Sequence, residues 1–270
     1  MSQGEAMDQP NRYVRIIERI FLSQYKPGAV RVPFEREDIV RIAEALKIRL
    51  PKNLGDIIYS FRYRVPLPEA VRSKAPKGKE WIIRPAGPAK YCFVATTQAT
   101  ITPNAMLAET KVPDSTPGVI SMYALNDEQA LLAIVRYNRL VDIFTATACY
   151  SLQSHLRTTV PGLGQVETDE IYIGLDKRGV HYVFPVQAKG GSDSISVVQI
   201  EQDIAVCAAK FSALICRPIA AQFMQDDLVA LFELEEGKEG VSISAEKHYR
   251  LVPGEEVTED DLKVYRKRQD

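Results

Sequence analysis

The residues with the clearest chemical potential lie in one 26-residue stretch, QVETDEIYIGLDKRGVHYVFPVQAKG (165–190). Two apolar, β-rich runs flank Asp176-Lys177-Arg178-Gly179. A three-residue hairpin loop with Gly179 in the left-handed position pairs Asp176 with Val180. Carried along both strands, that register sets Asp169 opposite Gln187 and Glu167 opposite Lys189. Directly opposed residues share a sheet face. The expectation is therefore one polar cluster of Glu167, Asp169, Gln187 and Lys189 at the open end of an apolar hairpin, which a one-residue slip would disperse.

Polar groups at the end of apolar strands are costly to bury without partners. Two neighbouring carboxylates repel unless a cation lies between them. Oxygen ligands of this kind suit Mg²⁺, which keeps several waters and takes one or two carboxylates. A lysine two residues after a ligand reaches the same volume, where it can orient a water or neutralise charge growing on a phosphate. The plainer reading makes Lys189 a solvated strand-end charge and Asp169 with Glu170 an edge-protecting pair.

An acidic residue on one strand, followed by a strand ending in D/E-x-K, resembles the PD-(D/E)xK nuclease superfamily, which has the restriction-endonuclease-like fold. Asp169 matches the motif aspartate and Gln187-Ala188-Lys189 the second half. Gln187 departs from Asp or Glu, as in the Q-x-K branches similar to Mrr-type enzymes. The resemblance covers residues 125–235. It implies metal-dependent hydrolysis of DNA phosphodiesters with Mg²⁺ as cofactor. Asp169, Gln187 and Glu167 would hold metal, and Lys189 would act on water or phosphate. Glu167 and Glu170 are rivals to Asp169. In the following helix, 196–207, Gln199, Glu201, Gln202 and Asp203 come near the same edge, with Gln202 singled out. A restriction or host-defence role, a homodimer acting on two-fold symmetric double-stranded DNA, and a DNA methyltransferase encoded nearby are further implications. The rival reading is a DNA-binding regulator whose nuclease-like domain has degenerated through Gln187.

The elements that must position these residues begin at 125. Asn126 is expected to cap a long helical stretch running to His155 and Arg157, two basic residues that suit a helix end. After the site helix, runs at 215–223, 228–234 and 247–252 complete a mixed sheet. Residues 101–124, rich in Thr and Pro, read as an irregular connecting arm.

Residues 1–100 carry a different pattern. Val14, Ile17, Ile20, Phe21 and Tyr25 fall at helical spacing, and Pro27-Gly28 stops that helix. A second helix spans 35–46. A third spans 53–63, with Asn53 as N-cap and Asp56 in the first turn. A short helical piece near 68–73 precedes two strand-like runs, 81–84 and 91–94. This trio of helices plus a hairpin is the layout of a winged helix-turn-helix domain. Its exposed positions would include Lys52, Asn53, Ser60, Arg62, Tyr63 and Arg64, with Lys77, Lys79 and Lys90 on or near the wing, suited to phosphate and base-edge contacts. The fold expected of the chain is thus α/β, a restriction-endonuclease-like mixed sheet with flanking helices at 125–270, behind that N-terminal domain.

Charge supports the division. The 270 residues have a formal net charge of −1. That near-zero sum hides a net +8 in residues 1–100, from 18 Lys and Arg against 10 Asp and Glu, and a net −9 in the remainder. A basic N-terminal part suits an anionic polymer. The polar, acidic start does not read as a signal peptide, and no apolar run approaches a membrane span. The four cysteines are scattered without a C-x-x-C pair, which fits reduced thiols in a cytoplasmic protein rather than zinc ligands.

Overall fold

The spacing of apolar residues sets the first helices. The computed structural model describes residues 12–123, 128–191, 193–225, 227–237 and 240–268. Contacts divide the chain into two compact units: residues up to Ala99 with Gly162–Gly164, and Thr100–Pro161 with Gln165 onward.

In the first unit, α1 (Val14–Gln24) buries Ile16, Ile17, Ile20 and Phe21 on one stripe. Each such burial is worth roughly 1.5–3 kcal/mol. Strand β1 (Arg31–Glu35) follows and alternates, burying Val32 and Phe34. Its Pro33 masks the strand in the sequence, yet β1 is an edge strand, where a missing N–H is tolerated. Helix α2 (Arg36–Leu46) starts with a capping box in which the side chains of Glu35 and Asp38 bond each other's backbone N–H.

Helix α3 (Gly55–Tyr63) buries Ile57, Ile58 and Phe61. Its N-cap is Leu54, one residue beyond the expected Asn53. Asn53 still serves the helix start: its Oδ1 accepts from the Gly55 N–H at 3.1 Å and its Nδ2 donates to Asp56 at 2.7 Å. A short α4 (Glu69–Arg72) leads to the antiparallel hairpin of β2 (Glu80–Pro85) and β3 (Lys90–Thr96), and the sheet order is β1-β3-β2. Phe21 meets Trp81 and Phe93 edge-on at 5.1 Å in the core.

Of the positions expected to be exposed, Lys52, Asn53 and Arg64 are, whereas Ser60, Arg62 and Tyr63 are half-buried. Arg62 in particular turns inward. Its Nε donates to the Ile83 carbonyl at 2.9 Å, which fastens α3 to β2.

The second unit is mixed α/β, an eight-stranded mixed sheet with flanking helices. In chain order its elements are β4 (Thr100–Ile101), β5 (Glu109–Pro113), α5 (Gly118–Tyr123), α6 (Glu128–Tyr137), α7 (Leu140–Thr145), β6 (Ala148–Val160), β7 (Gly164–Leu175) and β8 (His181–Lys189). Then come β9 (Ile195–Ser196), α8 (Val197–Lys210), β10 (Ile215–Cys216), β11 (Ile219–Phe223), β12 (Leu228–Gly237), β13 (Gly240–Val252) and α9 (Glu259–Tyr265). The sheet order is β5-β13-β12-β11-β8-β7-β6, with β10 beside β8. Strands β8 and β11 run parallel, as do β13 and β5.

Alternation along β11 assigns the two faces. Ile219 and Ala221 pack with Leu131, Leu132 and Val135 of α6, and Ala220 packs with Val197 and Ile200 of α8. The helices therefore cover opposite faces of the sheet.

Two expectations from the sequence are corrected here. Residues 101–124 are not wholly irregular: β5 is a sheet strand, parallel to β13, and β4 pairs with β9. The helical stretch expected from 126 to 155 ends at Thr145, and residues 148–160 are strand β6. Asn138 is the reason for the first break. Its side chain bonds Ser115, Thr116, Asp114 and the Ile134 carbonyl, and Arg139 and Ala146 beyond it take left-handed backbone angles. The run that follows is rich in Thr, Ser, Cys and Tyr, which favour an edge strand over a third helical stripe. Asn126, the expected cap, lies outside the described residues.

Among the described residues no helix is long and apolar enough to cross a membrane.

Candidate active site

The β7–β8 hairpin has the register expected from its loop. Glu170 pairs with Val186 and Leu175 with His181. Gly179 sits at φ +82, and its N–H donates to the Asp176 carbonyl at 3.0 Å. The Asp176 carboxylate accepts from the N–H groups of Val180 and Arg178 at 3.0 and 2.8 Å. Those bonds, the one from Val180 first, pull its pKa down to about 2. The loop is thereby pinned from within.

At the open end the side chains do not form one cluster. They divide into three. Thr168 bonds Asp203 of α8, whereas Glu170 bonds Arg136 of α6. The two helices lie on opposite faces, so the simple alternation of β7 fails between Thr168 and Glu170. The polar register extrapolated through Asp169 does not survive that break.

The first group contains Asp169, Lys189 and Glu128. The Asp169 carboxylate accepts from the Ala188 N–H at 2.9 Å, which places it against the last residues of β8. Burial raises its pKa, with the Ala188 bond and Lys189 opposing the rise and Glu128 adding to it. Lys189 is largely buried and ion-paired with Glu128, in the first turn of α6. Two carboxylates thus face one ammonium.

The second group is buried. Asp203 is 1% exposed; its Oδ1 accepts from Thr168 Oγ1 at 2.5 Å and Gln187 Nε2 at 3.2 Å. Its Oδ2 is buried without a hydrogen-bond partner. With no cation beside it, desolvation pushes its pKa up to about 8, so near neutral pH it is mostly a carboxylic acid. Gln187 also accepts from Gln199 Nε2 at 3.4 Å, and Gln199 Oε1 in turn caps the Ser196 N–H at the start of α8. The Gln187 amide is therefore held by α8 and turned to the Asp203 side.

The third group is half-exposed. Glu167 lies 3.2 Å from His155 Nδ1 and 3.0 Å from Arg157 Nε, both on β6. His155 and Arg157 are strand residues, not the helix-end cations expected. His155 takes a left-handed φ of +49 within β6. Glu170, the rival aspartate position, is fully buried and bonded by Arg136 and Ser151 on the other face.

Sequence reasoning missed Glu128. It stands 61 positions from Lys189, and only the seating of α6 on β8 brings the pair together. Asp203 was visible only as one of four polar residues on its helix. The i, i+4 step from Gln199 to Asp203 was the usable signal, because both turn toward the same neighbour, Gln187.

Asp169 and Glu128 are the carboxylates here that could hold a divalent cation. Two carboxylates against one lysine leave a net negative charge, and one of them is buried enough to have its pKa raised. Mg²⁺ asks for one or two carboxylates and completes its shell with water. Among the described residues no three His, Cys, Asp or Glu side chains are gathered as a ready cage. Gln187 and Glu167 are engaged elsewhere, with Asp203 and with His155 and Arg157 of β6.

Comparison with protein-family models, curated proteins and solved structures gives no match.

Proposed function

We propose that the chain is a Mg²⁺-dependent DNA endonuclease, with residues 12–99 as a winged helix-turn-helix DNA-binding domain. The observation that carries the reading is the Asp169–Lys189–Glu128 group at the ends of β7 and β8, approached from the sequence through the D…QxK resemblance. In this reading Asp169 and Glu128 hold the cation, which supplies Lewis acidity when bound. Lys189 is the group that touches the reacting phosphate. Its pairing with Glu128 keeps the ammonium at the strand end and desolvated, where its charge acts strongly on a developing phosphorane. Gln187 acts as a positioning residue, held by Asp203 and Gln199, and fixes the end of β8 from which Lys189 projects.

The DNA-binding part is supported by element order and charge. Three helices before a hairpin support the reading, with β1 as an added edge strand in the β1-β3-β2 sheet. Lys52, Asn53 and Arg64 are exposed beside α3 and suit phosphate contacts. A homodimer on double-stranded DNA, a cytoplasmic setting, a restriction role and a nearby methyltransferase belong to the same proposal.

One observation favours the degenerate-regulator reading instead: the Gln187 amide is fully used inside the fold. Incubating the purified protein with supercoiled plasmid in Mg²⁺, in chelator, and with an RNA of similar length separates the readings. The expected result is Mg²⁺-dependent nicking of DNA that Asp169→Ala abolishes. Retained DNA binding without any cleavage would establish the regulator, and cleavage of RNA alone would remove the restriction role.

A further inference from the structure

The exposed side of α3 carries an array that phosphate contacts do not account for. Tyr59 is 48% exposed, and its ring packs edge-on against Tyr63 with centroids 4.9 Å apart. The Arg64 guanidinium lies over the Tyr59 ring at 5.1 Å, and that of Arg62 lies 5.9 Å from the Tyr63 ring. Beside them is a cavity of about 490 Å³, lined by Tyr13, Pro51, Asp56, Tyr59, Ser60 and Arg64. That volume is within the range of small-ligand pockets.

We propose that this cavity receives one unpaired guanine base of a nucleic-acid strand. The proposal rests on the reading of the first unit as a nucleic-acid binder and is independent of the cleavage chemistry. Three features converge on it. The half-exposed Tyr59 ring, with the Arg64 guanidinium over it, offers a surface to a base, and bases stack on aromatic rings and on arginine planes alike. Asp56 supplies a carboxylate, which only accepts hydrogen bonds. Asn53 Nδ2 takes one lone pair of Oδ1 at 2.7 Å and holds the group in place, leaving Oδ2 and the second lone pair of Oδ1 for two adjacent donors.

A carboxylate in the cavity repels phosphate, so the backbone is not the occupant. It selects a base edge that presents donors, and guanine alone offers adjacent N1–H and 2-amino donors on its Watson–Crick edge. In a duplex that edge is paired with cytosine. The base must therefore be bulged, looped or single-stranded.

The test uses the full-length protein in chelator, so that nothing is cut. Fluorescence anisotropy compares a perfect duplex with the same duplex carrying a one-nucleotide bulge of guanine, inosine or adenine, each made as DNA and as RNA. The guanine bulge should bind about tenfold tighter than the perfect duplex. Inosine, which lacks the 2-amino donor, should lose most of that gain, and adenine all of it. Tyr59→Ala and Asp56→Asn should erase the difference and leave duplex affinity within about twofold, while Tyr59→Phe should keep it. Thermal melting checks that each variant is folded, which the exposure of Tyr59 favours. The DNA and RNA arms identify the source of the base. Equal affinity for all probes with duplex binding intact would overturn the pocket alone. No binding to any probe would overturn both the pocket and the nucleic-acid reading of the unit.

Discussion

Asp169 and Asp203 both approach the end of β8, and burial raises the pKa of each. Their partners differ. Asp169 has an ammonium and a second carboxylate nearby, with Lys189 ion-paired to Glu128. Among the described residues Asp203 bonds only a hydroxyl and an amide, its other oxygen has no hydrogen-bond partner, and the charge it feels is the like charge of Asp169. In the proposed reading, the buried carboxylate beside an ion pair is the one that binds a cation. One surrounded by neutral donors keeps its proton and holds strands and helix together. Burial alone therefore does not separate the two; the ammonium of Lys189 near Asp169 does.

The largest effect expected from this contrast is on the charged side. Asp169→Asn and Lys189→Ala should each lower the initial rate of plasmid nicking by about a thousandfold, the scale of losing one well-placed electrostatic group. Circular dichroism and melting check that the fold persists. Rates within tenfold of wild type would move the chemistry elsewhere.

Next in size is Gln187→Glu, which restores the acidic residue usual in the resembling family. Here it places a second carboxyl against buried Asp203. It should destabilise the protein by about 2–3 kcal/mol, read as a lower urea midpoint at pH 8. A gain in both stability and cleavage would show that Gln187 faces the metal end instead.

Asp203→Asn sharpens the comparison through pH. With a folded pKa of about 8 against the ordinary aspartate value of 3.8, the native state keeps a proton that the unfolded chain loses. Stability from this group is full below about pH 4, falls as pH rises toward 8, and is flat above it, by at most about 1.4 kcal/mol per pH unit. Urea unfolding between pH 5 and 9 should show that decline in the wild type and a weaker one in Asp203→Asn. Parallel curves would mean that Asp203 is ionised in the fold.

The smallest effect is expected at Glu167→Gln. Its ion pairs with His155 and Arg157 are half-exposed, and such pairs contribute about 0.5 kcal/mol or less. Melting at low and high salt checks it. A loss several times larger would make the β6 strand depend on Glu167.

The hairpin that carries this contrast was legible in the sequence, the contrast itself was not, and the limits are physical. The hairpin register was readable because a glycine-ended loop and Asp176 fix it within five residues. Helices α1, α2 and α3 were readable from local apolar spacing. Strand β6 was not, because the helical spacing before it masks where the helix stops, and its pairing with β7 is a tertiary contact. Strand β1 hid behind Pro33 and its edge position. Glu128 was invisible because its partnership with Lys189 depends on how α6 seats on the sheet. The division of the polar end into three groups depends on the break in alternation at Thr168–Glu170, which a period-2 extrapolation cannot contain.

The most direct test runs Mg²⁺-dependent plasmid nicking on wild type, Lys189→Ala and Asp203→Asn side by side, with a chelator control and folding checked by melting. The expected result is cleavage by the wild type, none by Lys189→Ala, and a rate within about threefold of wild type for Asp203→Asn at pH 7. Cleavage by Lys189→Ala at the wild-type rate, or no cleavage by the wild-type protein in Mg²⁺, would contradict the assignment of Asp169, Lys189 and Glu128 as the site.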